Sequence, residues 1–328
     1  MHATWTSYTF DQILVEWKEL LSNSLVNEIF LTHVWQHNWW KKFGSSHPNV
    51  LFGLKENSQL IGIAPLIKTN ETITFIGGSD LFDYHDFVVM RGKEDLFYGK
   101  LVELIQEIGF NDLDLTSIPE HSPTLELFSQ KLKSIGIYVN QQEEDVSPVL
   151  KLQNTWEEYL QHLNKKNRHE IKRKIRKLDS AGSYTHDICS HLNTQCDCMD
   201  DFIRLMKLSN PVKSNFLTPI REEFFRTLPD ALSETGYFKL NFLKFENARV
   251  ASSISFEYNN TVYLYNSGYD PDLSHLSIGL INTIMCIKHA IQSKHSTFDF
   301  LRGSERYKYH LGASNRHLYH LRATKQSS

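Results

Sequence analysis

Lys239 to Gly303 reads KLNFLKFENARVASSISFEYNNTVYLYNSGYDPDLSHLSIGLINTIMCIKHAIQSKHSTFDFLRG, and its pattern decides the fold. KLNFLKFE alternates as a strand, Asn247-Ala248 turns it, and VASSISFEY returns as its hairpin partner. VYLYNSGY is a third strand, SIGLINTIMCIKHAI a helix and TFDFLRG a strand beyond it. A strand, helix and strand of this length predict a parallel crossover, whereas the hairpin is antiparallel. The same order occurs upstream, between Val50 and Pro119. There VLFGLKE turns at Asn57-Ser58 into LIGIAPLI, and ITFIGG, the helix FYGKLVELIQEIGF and DLDLTSI follow. Asn57 stands 57 residues before Asp114, and Asn247 stands 52 before Asp299. We read an internal duplication: an α/β chain (α+β mixed sheets) in two related halves.

Glu143-Glu144-Asp145 and Pro148 mark the joint, which divides the chain into 1–147 and 148–328. Thr155 with Glu158 forms a capping box, from which one helix is expected to run to Gly182. Of 328 residues, 41% are hydrophobic, enough for a core and against disorder. With 35 basic and 38 acidic residues the net charge is −3, which excludes a global polycation but not a local basic patch. The four cysteines are too few to staple a chain of this size and fit a reducing compartment. MHATWTSYTFDQ lacks a secretory pattern, and Ile278–Ile291 is interrupted by Asn282, Thr283, Lys288 and His289. A cytoplasmic protein without a membrane span is expected.

The series VWQHNWWKKFG, GIAPLI, GGSDLFDYHDFV, WEEYLQHLNKKNRHEIKRKIRKLDSAG, YLYNSGYD and TFDFLRGSERYKYHLGA resembles the BioF2-like (CelD-like) GNAT acetyltransferases. That family is related to the tandem-GNAT Fem aminoacyltransferases. The resemblance spans roughly residues 30 to 310 and rests on order and spacing. It implies a tandem GNAT-like acyltransferase fold and transfer of an acyl group to an amine. The donor implied is acetyl-CoA or another acyl-CoA; in the Fem branch it is aminoacyl-tRNA. The acceptor expected is a small molecule or amino-sugar, as in envelope or exopolysaccharide biosynthesis, with 1–147 on the acceptor side and 148–328 on the donor side.

Such chemistry needs a phosphate grip, a proton acceptor and a stabiliser of the leaving thiolate. Ser277, Ile278 and Gly279 open a helix after Tyr265 and Asn266, and a helix N-terminus binds phosphate. The usual glycine-rich, arginine-bearing GNAT loop is reduced here to one glycine and no arginine. From Lys165 to Lys177 the chain is strongly basic, with Ile171, Ile175 and Leu178 on one packed face. Two readings stand for this run: a solvated helix face, or recognition of phosphate on the donor, a nucleotide-sugar, tRNA or an anionic membrane surface. Arg168 is the residue that matches the family's Lys-x-Arg stretch.

Asp299 alternates against Phe298 and Phe300. It reads either as a carboxylate beside the donor or as a buried partner of Arg302. Tyr307 or Tyr309 is placed to protonate the thiolate, and Lys308, matching the family's Tyr-Lys, to bind an acceptor anion or steady the oxyanion. Asp83, Tyr84, His85 and Asp86 read as an acceptor grip or as a polar loop. Direct attack by the amine is expected, since no cysteine lies in either matched cleft motif. Trp35, Trp39 and Phe43 make a core stripe. His186, Cys189, His191, Cys196 and Cys198 lack the spacing of zinc pairs, so no metal is expected. A non-catalytic GNAT-derived binding module is the remaining alternative; salt-dependent binding of tRNA or anionic vesicles without thiol release would mark it.

Overall fold

The computed structural model describes residues 3–44, 51–189 and 195–325, and His191 and the side chain of Cys196 lie outside what it describes. The chain forms two units: Met1–Val146 with Arg316–Ser328, and Ser147–Asn315.

In the first unit β1 (Ala3–Tyr8) precedes α1 (Phe10–Ser22) and α2 (His33–Phe43). β1 pairs antiparallel with β2 (Leu51–Glu56), β2 with β3 (Gln59–Thr69), and β3 with both β4 (Thr72–Phe75) and β5 (Val88–Val89). The β2–β3 turn needs two left-handed residues, supplied by Asn57 (φ 48°) and Ser58 (φ 68°). α3 (Glu94–Ile108) then crosses to β6 (Asp112–Pro119), which runs parallel to β4. α4 (Ser129–Ser134) and β7 (Tyr138–Lys151) follow. Ile61, Ile73, Phe97, Leu101, Leu113 and Leu115 pack into one core. In α2, Trp35 and Trp39 are buried and Phe43 stacks on Trp39 at 5.3 Å.

The second unit opens with α5 (Trp156–His162), α6 (Lys165–Ala181), β8 (Tyr184–Cys189), α7 (Gln195–Ser209), α8 (Pro211–Phe216) and α9 (Pro219–Ala231). The repeat follows: β9 (Phe238–Phe245), β10 (Ala248–Tyr258), β11 (Thr261–Tyr269), α10 (Ile278–Gln292), β12 (Thr297–Asp299) and α11 (Arg306–His310). β8, β9, β10 and β11 pair antiparallel in that order; β12 lies parallel to β11 and pairs with the end of β7. Here too a left-handed pair turns the hairpin, at Glu246 and Asn247. α10 is held by Ile278, Ile281, Ile284, Ile287 and Ile291, all buried. Each contributes about 2 kcal/mol of burial.

Two expectations are corrected. The helix after Thr155 is two helices: Leu163 is extended (ψ 147°) and buried, and Asn164 starts α6 by accepting from the Asn167 amide at 2.8 Å. A capping asparagine competes with continuation of the helix before it. The division at 147/148 also misses one strand. β13 (Ser314–Thr324) pairs antiparallel with β6, so residues from Arg316 onward belong to the first unit.

Candidate active site

The second unit's sheet opens where the repeat pattern places its third strand and crossover. β11 and β12 share three parallel rungs, Thr261–Thr297, Val262–Phe298 and Tyr263–Asp299. Beyond Tyr263 the strands part. β12 ends because Asp299 turns the chain: its Oδ1 accepts from the Leu301 amide (2.8 Å) and the Ser147 hydroxyl (3.2 Å). Leu301 is left-handed (φ 58°), a conformation costing leucine about 1–2 kcal/mol. Lys308 fixes the turn. Its Nζ donates to the carbonyls of Leu301, Arg302 and Gly303 at 3.0, 2.8 and 2.9 Å and pairs with Glu305 at 2.9 Å. On the other side β11 carries a bulge against β10 at Tyr265, between the Ile254–Asn266 and Ser255–Leu264 pairs.

The parting leaves a cavity of about 650 Å³. Leu264–Tyr269 form one wall and Ser277–Leu280 of the α10 tip another; Phe300, Arg302, Glu305 and Tyr307 face them, with Lys174 and Ser209–Lys213 at the rim. The tip is bare. Ser277 is left-handed (φ 59°) and caps nothing with its hydroxyl, and the amides of Ile278, Gly279 and Leu280 have no acceptor among the described residues. No acid stands in that first turn. Lys174 donates to the Ser277 hydroxyl and Lys177 to the His275 carbonyl, each at 2.7 Å. The cations absent from the loop's own sequence are thus supplied by α6.

A second cavity, about 870 Å³, lies along α6 and shares Lys174, Leu280 and Tyr307 with the first. Lys165, Lys166, His169 and His310 line it over a floor of Ile171 and Leu311. Tyr307 is half-buried; burial raises its hydroxyl well above the usual range, and the Glu305 carboxylate adds to that. It therefore holds its proton at neutral pH. Lys213 is shifted the other way, its pKa lowered by burial against the opposing pull of Glu305.

The residues named from the sequence fall in different places. Ser277, Ile278, Gly279, Tyr265, Asn266, Arg302, Tyr307 and Lys308 border the first cavity. The Tyr265 ring stacks on Phe225 at 5.7 Å. Asp299 is fully buried, its Oδ1 held by the Leu301 amide and the Ser147 hydroxyl. Tyr309 is engaged with Asn315 at 2.7 Å. Arg168 turns back to the Gln161 carbonyl at 3.4 Å, away from both cavities. Lys174, three residues after Ile171 and four before Leu178, shares their packed face; that register was the signal for it.

In the first unit Tyr84 and Asp86 are interior rather than open to an acceptor. Burial pushes the Asp86 carboxyl up to about 6, opposed by hydrogen bonds from Ser122, Thr124 and the Phe87 amide. His85 lies between Phe82 and Phe75, stacked on both, and Asp83 is half-exposed. Cys189 and Cys198 bring their sulfurs to 3.1 Å, with the Arg249 guanidinium 3.2 Å from Cys198. No group of three or more potential metal ligands occurs among the described residues, and no helix there is long and apolar enough to cross a membrane.

Residues 165–309 match the family model described as an acetyltransferase (GNAT) domain. No curated protein matches the chain by sequence. Among solved structures it is similar to FemX (12% identity, 97% of this chain and 96% of that one, TM-score 0.66). It is also similar to L-PGS from Bacillus licheniformis (9%, 95% and 91%, TM-score 0.59). A third is a tandem GNAT protein from the clavulanic acid biosynthesis pathway (10%, 100% of both chains, TM-score 0.51). Residues 165–309 thus match a GNAT acetyltransferase domain, and the chain shares the fold of the tandem GNAT and Fem proteins.

Proposed function

We propose that the second unit transfers an acyl group from acyl-CoA to the amine of a small molecule or amino-sugar. The observation that carries this is the parting of β11 from β12 beside the bare tip of α10. The donor's pyrophosphate is received by the amides of Ile278, Gly279 and Leu280 and by Lys174, where free N–H groups, helix dipole and ammonium act together. Its pantetheine arm lies along the unpaired edge of β11, adding a strand-like partner to open backbone groups. The thioester carbonyl meets the backbone at the Tyr265 bulge, where amides aimed at a developing oxyanion have their effect. The amine attacks directly, the carbon–nitrogen bond forms as carbon–sulfur breaks, and Tyr307 gives its proton to the thiolate. Asp299 and Lys308 act through the loop they hold.

The test is a thermal melt of the full chain with CoA, acetyl-CoA, longer acyl-CoAs and uncharged tRNA in turn. A CoA thioester raises the midpoint, because it binds the folded form. Lys174→Met with Lys177→Met raises the donor KM about tenfold or more, as loss of charged hydrogen bonds does. No shift with any thioester up to about millimolar, about a thousandfold above a micromolar Kd, overturns the proposal.

One observation favours an aminoacyl-tRNA donor instead. The outward faces of α6 leave Lys165, Lys166, Lys172, Arg173 and Arg176 exposed beside the second cavity. A midpoint raised by uncharged tRNA and lost with added salt, without a CoA effect, would select that donor.

A further inference from the structure

The described cysteine side chains sit in two kinds of surroundings. Cys286 of α10 is buried, its sulfur 3.6 Å from the Ser253 hydroxyl and 3.8 Å from the His186 ring. Burial pushes its thiol up to about 12, and a thiol so held is an inert packing group. Cys189 and Cys198 are both free thiols and are placed differently. Their sulfurs touch, at 3.1 Å, although nine residues separate them and they stand on different elements. Solvent reaches one and not the other. Cys189, the last residue of β8, is half-buried, whereas Cys198, near the start of α7, is fully buried.

A cation stands beside the buried sulfur. Arg249 of β10 lies over the Phe242 ring at 4.5 Å, pairs with Asp201 at 2.9 Å and sets a second nitrogen 3.2 Å from the Cys198 sulfur. A guanidinium there stabilises negative charge that develops on sulfur as a bond is made or broken. Cys189 is faced by Cys198 from α7, by Arg249 from β10 and by Asp187 of its own strand, which Lys244 of β9 holds at 2.5 Å. Burial and the Cys198 sulfur outweigh the guanidinium and push the Cys189 thiol up to about 11.

We propose that Cys189 and Cys198 are a reversible thiol–disulfide pair that reacts with a small disulfide such as oxidised glutathione and, once closed, staples β8 to α7. Cys189 gives up its proton, and its sulfur, the one in reach, attacks a sulfur of the oxidant. A mixed disulfide forms, and the first glutathione leaves with that proton. The Cys198 sulfur, already in contact, then attacks the Cys189 sulfur. The bond between the cysteines closes, and the second glutathione leaves with the Cys198 proton. The pair has lost two electrons and two protons, and the oxidant has become two thiols. The staple falls on the helix that meets β11 at Gly268 and ends at Ser209 on the rim of the first cavity. Only the thiolate attacks a disulfide, so the first step is slow at neutral pH and quickens about tenfold per pH unit toward the value of the Cys189 thiol.

The experiment incubates the full chain with oxidised glutathione at neutral and at alkaline pH, quenches samples with an alkylating agent, and reads intact mass and peptide maps. A form lighter by two hydrogens appears, faster at the higher pH, with Cys189 linked to Cys198, and dithiothreitol restores both thiols. The oxidised chain melts a few degrees above the reduced one, because a closed loop of about ten residues restricts the unfolded chain. Cys196→Ser oxidises as the unchanged chain does. Adding Cys198→Ser to it halts the reaction at a glutathione mixed disulfide on Cys189. Adding Cys189→Ser instead gives no linked peptide, and serves if the Cys198 variant does not fold. A bond that maps to Cys196 overturns the inference. So does alkylation of both Cys189 and Cys198 after prolonged oxidation, a mixed disulfide that persists on Cys189 of the unchanged chain, or an oxidised chain that melts no higher than the reduced one.

Discussion

At Lys308 one ammonium meets three main-chain oxygens, and at Asp299 one carboxylate meets a main-chain amide and the Ser147 hydroxyl. Together they keep residues 300–303 turned away from the free edge of β11. Lys308→Met strands those carbonyls in the interior and should cost about 3 kcal/mol, the scale of breaking a buried charged network. Urea unfolding measures it, and a loss below about 1 kcal/mol, the scale of an exposed pair, would return Lys308 to a purely chemical role. The sequence placed Asp299 on the right strand with the right alternation. It left open whether the carboxylate faced a ligand or the interior, because its hydroxyl partner lies 152 residues away. Asp86 shows the same difficulty. A carboxylate beside His85 reads as a polar loop, and only packing against Thr124 and Ser122 reveals that it is inside.

Elements were legible where local chemistry sets them. Hairpins were readable because asparagine tolerates left-handed turns, and α10 because isoleucines recur on its buried side. The break between α5 and α6 was not, since Lys165–Leu178 continues a helical pattern and only the Asn164 cap interrupts it. The approach of α7 to β11 has no periodic signal at all. It depends on Gly268, where an added Cβ would stand 2.3 Å from the Met206 amide nitrogen and 2.4 Å from the Leu205 carbonyl carbon. Both are backbone atoms, which have little room to move. Gly268→Ala should therefore lift α7 off the strand and destabilise the chain by about 2–3 kcal/mol, the upper range for overpacking. It should also disturb the cavity rim at Ser209 and Asn210, at the end of α7. A melt and a donor titration on this variant check both; an unchanged melting temperature would show that α7 is not held by that contact.

Of the two crossover helices, one in each unit, that of the second unit opens without an acid. The crossover helix of the first unit, α3, begins with Glu94 and Asp95, which repel phosphate; the first turn of α10 has no acid and receives Lys174 and Lys177 nearby. Calorimetric titration with CoA should accordingly give about one site per chain, and Lys174→Met should weaken that single isotherm by about tenfold rather than remove one of two. A stoichiometry near two would mean that α3 binds as well. The duplication was visible in sequence because both copies use the same turn chemistry. The home of β13 was not, because Arg322 pairs with Asp114 across 208 residues and nothing local announces it. The grip of Lys308 has a last consequence for how such a chain diversifies. It recognises the path of the peptide and ignores the letters strung along it, so Leu301 and Arg302 are open to rewriting in descendants with new preferences while the lysine is inherited unchanged.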